Sequence, residues 1–516
     1  MSTHEHASTS AALSRRTLWI RGPWTDLLFF VGVPLLLLPL ILAAPGRPSV
    51  QELILVLGAF GALGHHLPGM LRAYGDRELF RRFRVRLILA PLFLTLACVG
   101  FSVSGLTGIV LITFVWTTWH TSMQIYGFAR IYDAKLGASS RWTTRLDLAL
   151  CAAWIVAPLC FSDGRVAYAL DLYYRTGGPL LAASTVTALR TAWLVFTAAL
   201  SLAFVARLLR TWTRGERPNP VKLVFFAVSF GFWWFCMVAV EHLVAGIALF
   251  DVFHDVQYLA LVWMFQRARV EKQAGVTGFT RFLFRSSGGL IGLYVGLIVA
   301  YGSIGHFSGK LASEDARNVL TGVLAASALF HFYLDGFIWK VREPSMREGL
   351  GLAGGSAAIA NAVRARHAWK WSLFVVPLGV LGYAESTRAL EQGRWCEALA
   401  EAAPSAEALT SYGVFLAARG ELERACALHR RAIALAPSAP EPRNNLGVAL
   451  RLKGELREAR ACFEEALRLR PSYARAHGHL ANLLIQLGDP AAAEPHYREA
   501  LRLDAKYADP RANLAT

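Results

Sequence analysis

FHDVQYLALVWMFQRAR, Phe253 to Arg269, decides how the rest of the chain is read. It is apolar enough for a membrane helix, yet it opens with His254 and Asp255 and carries Gln257 within the next turn. Ionisable side chains inside such a segment are costly to bury. Three other apolar stretches share the pattern: GHHLPGMLR with His65 and His66, WTTWHTSMQIYGFAR with His120 and Gln124, and LFHFYLDGFIWK with His331 and Asp335. Each runs on to an Arg or Lys suited to a membrane face. Counting about 1.5 Å per helical residue back from Arg72, Arg130, Arg267 and Lys340 puts His65, His120, His254 and His331 about 10 to 20 Å deep. Four helices are therefore expected to offer imidazoles in one layer.

The surrounding composition fits this reading. The chain has 516 residues, 55% of them hydrophobic, and a mean hydropathy of +0.39 despite a polar last quarter, so a polytopic membrane protein is expected. The formal charge of +17 does not point to nucleic acid, because Arg and Lys concentrate in short loops between apolar segments. Seven Cys are scattered without a CxxC pair or a zinc spacing. LSRRTLWIRGPW near the N-terminus loosely resembles a twin-arginine signal. The apolar run behind it is about 20 residues, longer than a signal-peptide core, so it reads as an uncleaved first span.

Eleven apolar segments can be cut: 25–44, 51–71, 87–103, 106–129, 146–161, 188–206, 223–249, 254–266, 288–305, 318–339 and 371–386. One set of alternate loops carries 29 Lys and Arg and the other carries 5. Basic loops stay cytoplasmic, so an odd number of spans sends the polar tail to the opposite face, the periplasm if the membrane is a bacterial inner membrane. The long seventh and short eighth segments predict a bent or half-membrane helix of the kind that lines cavities. Arg72–Arg86 mixes six Arg with Tyr74, Leu79, Phe80, Phe83 and Val85 and reads as an interfacial stretch or an ordinary basic loop. Gly349–Ala362 reads as a flexible or re-entrant connection.

The tail repeats itself. Tyr412-Gly413, Leu446-Gly447 and Leu480-Ala481 lie 34 residues apart, as do Gly420, Gly454 and Gly488, and Ala432, Ala466 and Ala500. This spacing and the run NNLGVALRLKGELREARACFEEALRLRP resemble tetratricopeptide repeats over about 405–505, with a degenerate unit ahead of them. The resemblance implies an α-solenoid whose concave face holds a protein or peptide, or a docking spacer without a separate ligand. The expected architecture is all-α: a polar segment 1–24, a helical membrane domain 25–386 of about eleven spans, and a solenoid 387–516.

The candidate chemistry lies in the membrane domain. His120 with Gln124 and His331 with Asp335 are spaced i, i+4 and project from one helix face. A neighbouring carboxylate or amide is what a metal-ligating imidazole uses to fix its tautomer. His65, His66, His120, His254 and His331, with Asp255 and Asp335 as ligands or supports, are therefore the expected metal residues. Glu241 and His242 are placed to fold back toward them. Imidazole and carboxylate donors without Cys suit iron, with copper or zinc as alternatives, and a site inside the bilayer implies a lipid or another lipophilic substrate. The arrangement is similar to histidine-rich integral-membrane oxygenases, namely desaturases, hydroxylases and carotenoid-cleaving enzymes. Their HxxxH and HxxHH boxes are absent, so no residue role carries over.

Other classes remain open. Polytopic proteins with extracytoplasmic tetratricopeptide tails resemble O-mannosyltransferases, but those place acidic residues in the first outer loop, and the corresponding loop here, APGRPSV, has none. A non-catalytic transporter or assembly scaffold with proton-relaying His and Asp, and a bis-histidine haem protein, are the further readings.

Overall fold

A computed structural model describes residues 18–43, 63–136, 140–215, 217–240, 243–272, 276, 278–285, 287, 289–308, 311, 313–338, 376–387 and 392–504. Among these the structure is helical, with a lone backbone bridge between Asp76 and Val276. Glu241, His242 and Gly349–Ala362 lie outside the described residues. The chain divides into two compact units, one of residues 1–162 and 191–387, the other of 163–190 and 388–516.

In the first unit, α1 (Val33–Ala43) follows a short turn and a π-helical stretch, Leu27–Val31. Segment 25–44 is thus not one continuous helix. The bend is at Gly32, where a Cβ would lie 2.5 Å from the Leu27 carbonyl oxygen. Next come α2 (His66–Gly75), α3 (Arg77–Val103), α4 (Gly108–Lys135) and α5 (Arg141–Phe161). Further along the chain come α6 (Asp163–Arg175), which belongs to the second unit, and then α7 (Ala183–Thr213), α8 (Pro220–Trp234), α9 (Leu243–Glu271), α10 (Gly278–Leu283), α11 (Gly289–Ser308) and α12 (Glu314–Ile338).

Six of these stretches are long and apolar enough to cross a membrane: Arg77–Val103, Arg141–Phe161, Ala183–Thr213, Pro220–Ala239, Ala245–Glu271 and Glu314–Ile338. Gly289–Gly305 is apolar but shorter. The 28-residue α4 is long, but Thr117, Thr118, His120, Ser122 and Gln124 dilute its apolar content. The expectation of about eleven spans thus reduces to six such helices among the described residues.

Two expectations are corrected. The interruption near the seventh and eighth segments falls not between 249 and 254 but after α8, where a π-helical turn, Phe235–Ala239, leads into extended Val240. Gly246 then packs against the Cys236 carbonyl oxygen, 2.2 Å from where a Cβ would sit, so the chain can turn tightly there. Residues 243–271 form one continuous helix that carries His254. Arg72 is not an interfacial cation. It is almost fully buried with its guanidinium 4.3 Å from the Phe265 ring, while Asp76 accepts the Glu78 and Leu79 amides to cap α3 and pairs with Arg269. Arg77, Arg81, Arg82 and Arg84, further along, are exposed.

Polar contacts fix the helix that carries His120 at both ends. At its start, Glu385 accepts from the Thr107 amide and hydroxyl at 2.5 and 2.7 Å and from the Gly108 amide at 2.9 Å, the carboxylate-at-N-terminus arrangement that offsets the helix dipole. Toward its end, Lys222 reaches Asp133 and Asp147 at 2.8 and 2.6 Å, and Arg130 pairs with both carboxylates. Buried charges persist only when paired in this way. Close contacts set the approach of α12 to α3, where Gly322 lies against the Val99 backbone, 2.5 Å from a would-be Cβ.

The second unit contains α13 (Gln392–Ala402), α14 (Ala406–Ala418), α15 (Leu422–Leu435), α16 (Pro440–Lys453), α17 (Leu456–Leu469), α18 (Ala474–Gln486) and α19 (Pro490–Leu503). Gly420, Gly454 and Gly488 take positive φ of 80°, 88° and 81° between paired helices, a conformation that side chains disfavour. This explains the 34-residue glycine register. Each pair is closed by a ring against a small residue: a Cβ on Gly413 would lie 2.6 Å from the His429 ring, and one on Gly447 would lie 2.7 Å from Phe463. Segment 163–190 belongs to this unit. Ala167 and Tyr174 of α6 bury against Leu399, Ala403 and Ala408, and Arg175 lies 5.1 Å from the Trp395 ring centre. An open solenoid end needs such a cover.

Candidate metal centre

The four histidine-bearing segments meet. His65 occupies the N-cap of α2, His66 begins that helix, His120 lies mid-way along α4, His254 and Asp255 lie on α9, and His331 and Asp335 lie on α12. All five histidines and Asp255 are buried, and Asp335 is partly buried. Gly69 makes the approach of α2 possible, since a Cβ there would sit 2.9 Å from the Tyr258 hydroxyl and 3.5 Å from His331 Nδ1.

Two groups of donors have the spacing of a metal site. His65, His120 and His254 offer nitrogens all within 4.8 Å of one another, and so do the donor atoms of His120, His331 and Asp335. His120 Nε2 is 3.1 Å from His254 Nε2. Asp335 Oδ2 lies 3.6 Å from His120 Nδ1 and 3.5 Å from His331 Nε2. Carboxylates and a phenol support the donors: His65 Nδ1 is 2.9 Å from Asp255 Oδ1, and the Tyr258 hydroxyl donates to Asp335 Oδ1 at 3.2 Å. Gln124 donates to the His254 carbonyl at 2.8 Å, and Gln257 donates to the Phe30 carbonyl at 2.8 Å. Neither ring nitrogen of fully buried His331 has a hydrogen-bond partner among the described residues. Leaving both uncompensated is costly, and an ion at Nε2, the nitrogen that faces Asp335, would remove part of that cost.

His66 differs from the other four. It stacks on His331 with ring centres 4.8 Å apart, but its Nδ1 turns to the Ser327 hydroxyl at 3.0 Å, and it belongs to neither donor group. Ser327 in turn contacts the Tyr301 hydroxyl at 2.8 Å. Ser327 and Tyr301 are neighbours that the sequence did not single out, since a lone Ser or Tyr in an apolar helix carries no signal. Asp251, one turn before Asp255 on α9, is close enough to Asp255 and His65 to interact electrostatically, and its i, i+4 spacing to Asp255 was available in the sequence.

Residues 439–506 match the tetratricopeptide repeat family, so the tail carries these repeats, an architecture suited to holding protein partners. No curated protein matches the chain. Among solved structures, MamA AMB-1 is 28% identical over 25% of this chain and 76% of its own, with a TM-score of 0.21. A second MamA structure is 24% identical over 28% of this chain and 88% of its own, with a TM-score of 0.22. Neither likeness bears on what the membrane-type helices do.

Proposed function

We propose that the chain is an integral-membrane, metal-dependent oxidoreductase of the oxygenase or hydroxylase type acting on a lipophilic substrate, with a solenoid that holds a protein partner. The observation that carries this reading is the convergence of His65, His120, His254, His331 and Asp335 from four helices into two overlapping donor groups. Packing alone gives no reason to bury that many imidazoles together, because each brings a desolvation cost and makes few apolar contacts. The donor set fits a first-row transition ion, with iron the favoured one and copper or zinc the alternatives. Such an ion supplies activation of dioxygen or water when bound. The chain's own residues orient and insulate it: Asp255 lies 2.9 Å from the ring of His65, Tyr258 holds Asp335, and Gln124 ties α4 to α9.

The membrane setting is supported by large apolar side chains left exposed along single helices, such as Ile88, Leu89, Leu92 and Leu96 of α3 and Leu189, Val195, Leu202 and Val205 of α7. Lipid is the environment in which such faces cost nothing. The loop count, 29 Lys and Arg in one alternate set against 5 in the other, is the support for an extracytoplasmic tail.

The test is elemental analysis and absorbance of the purified full chain beside His254→Ala and His331→Ala. Stoichiometric metal in the wild type that falls in both variants is the expected result. Metal-free wild type would overturn the reading and leave a proton-relaying transporter or scaffold, for which the His66–Ser327–Tyr301 contacts would be the starting point. A haem absorbance would replace it with the bis-histidine haem reading.

A further inference from the structure

Deepening the metal reading, and resting on it, we propose that the centre is built for two ions that share His120 as a bridging imidazole. The two donor groups have one residue in common, His120. Its nitrogens face different partners: Nε2 faces His254 Nε2 at 3.1 Å, and Nδ1 faces Asp335 Oδ2 at 3.6 Å. The two lone pairs of one imidazole ring diverge, so a single ion cannot take both. An ion bonded to nitrogens at about 2.0–2.1 Å holds neighbouring donors about 3 to 3.4 Å apart. The separations of 3.1, 3.5 and 3.6 Å in the two groups lie within a few tenths of an ångström of that range.

Each subsite then has its own supports. The first takes His65, His254 and His120 Nε2, with Asp255 on His65 Nδ1 as the outer carboxylate that raises the ring's basicity. The second takes His120 Nδ1, His331 Nε2 and Asp335 Oδ2, with the Tyr258 hydroxyl on the other Asp335 oxygen. The bridge also answers a charge problem. Two divalent ions in a dry pocket need counter-charge, and a bridging imidazole that gives up its second proton supplies one negative charge between them. Asp335 and Asp255 supply two more. His66, turned to Ser327, takes no part. The second ion binds with release of the proton from the bridge, and the ion class is divalent first-row metal that accepts imidazole and carboxylate.

Copper(II) is the probe, loaded into the chelator-stripped, detergent-solubilised full chain. Two coppers per chain are expected, with an electron-paramagnetic-resonance intensity far below two spins because the bridge couples them. Acidification that reprotonates the bridge should restore an uncoupled signal in the wild type, a readout that needs no variant. His331→Ala and His254→Ala should each fall from two coppers to one and show an ordinary one-spin signal. One copper at full intensity in the wild type, or two uncoupled ones near neutral pH, would overturn the bridge while leaving a metal site standing. No bound copper would overturn both.

Discussion

Six histidines are buried among the described residues, and the two units bury them in different ways. In the first unit five converge, with Asp255 and Asp335 in contact with them. In the solenoid unit His429 stands alone against Gly413, in the place that Phe463 and Tyr497 take in the next two repeats, 34 and 68 residues on. His331 and His429 even share a symptom, since neither ring nitrogen of either has a hydrogen-bond partner among the described residues. Burial of an unpartnered imidazole is therefore not a mark of function. His429 fills an aromatic slot, whereas His331 is surrounded by other donors, and it is the surroundings that separate packing from chemistry.

The comparison breaks most sharply on metal content. His254→Ala and Asp335→Asn are each expected to lower metal affinity at their own subsite by about 10- to 100-fold or more. His429→Phe should leave metal content unchanged. Metal analysis of the three variants side by side checks this, and loss of metal in His429→Phe would erase the distinction between the two units.

Next in size is the cover that segment 163–190 gives the solenoid. Tyr174 is fully buried and its oxygen accepts from the Leu181 amide at 3.3 Å, so Tyr174→Ala should destabilise that unit by about 3–5 kcal/mol. Faster cleavage between α13 and α14 in pulse proteolysis of the full chain is the expected sign. Unchanged proteolysis would mean the solenoid stands without α6.

Gly447→Ala places a methyl against Phe463 and should cost about 1–3 kcal/mol, seen as earlier alkylation of buried Cys426 during urea titration. The equivalent step at Gly413, where a Cβ would lie 2.6 Å from the His429 ring, should cost a similar amount. A much smaller cost would show that the His429 slot yields where the Phe463 slot does not.

The smallest effect is one of pH. Burial pushes His429 down to about 4, so it stays neutral in the fold while the unfolded chain takes up its proton near 6.5. Its contribution is therefore full above pH 6.5 and declines as pH falls toward 4, by about 1.4 kcal/mol at pH 5.5. His429→Phe should flatten that part of the stability profile of the solenoid, measured by pulse proteolysis between pH 5.5 and 8. An unaltered profile would assign the dependence to other groups.

Some of this was readable along the chain. The 34-residue register of glycines and alanines announces the solenoid because a repeat writes its own packing into local sequence, and Gly420, Gly454 and Gly488 then take the same left-handed turn. The histidine-bearing segments were readable for a similar reason, since depth along a helix is a linear count from its basic end. The cut between segments seven and eight was not readable, because the π-helical turn at Phe235–Ala239 is apolar and looks like uninterrupted helix. Nor was the burial of Arg72, which depends on Phe265 arriving from α9.

The sequence by itself determined which helix carries each imidazole and carboxylate and how far from its basic end each one lies. Tertiary structure decided their directions: that His66 turns to Ser327, that Tyr258 holds Asp335, that the two nitrogens of His120 face different partners, and that α6 joins a solenoid more than 200 residues away in the chain. The physical reason is that rise along a helix is fixed by the backbone. The rotation of one helix against another is fixed by side chains distant in sequence, and no local pattern records it.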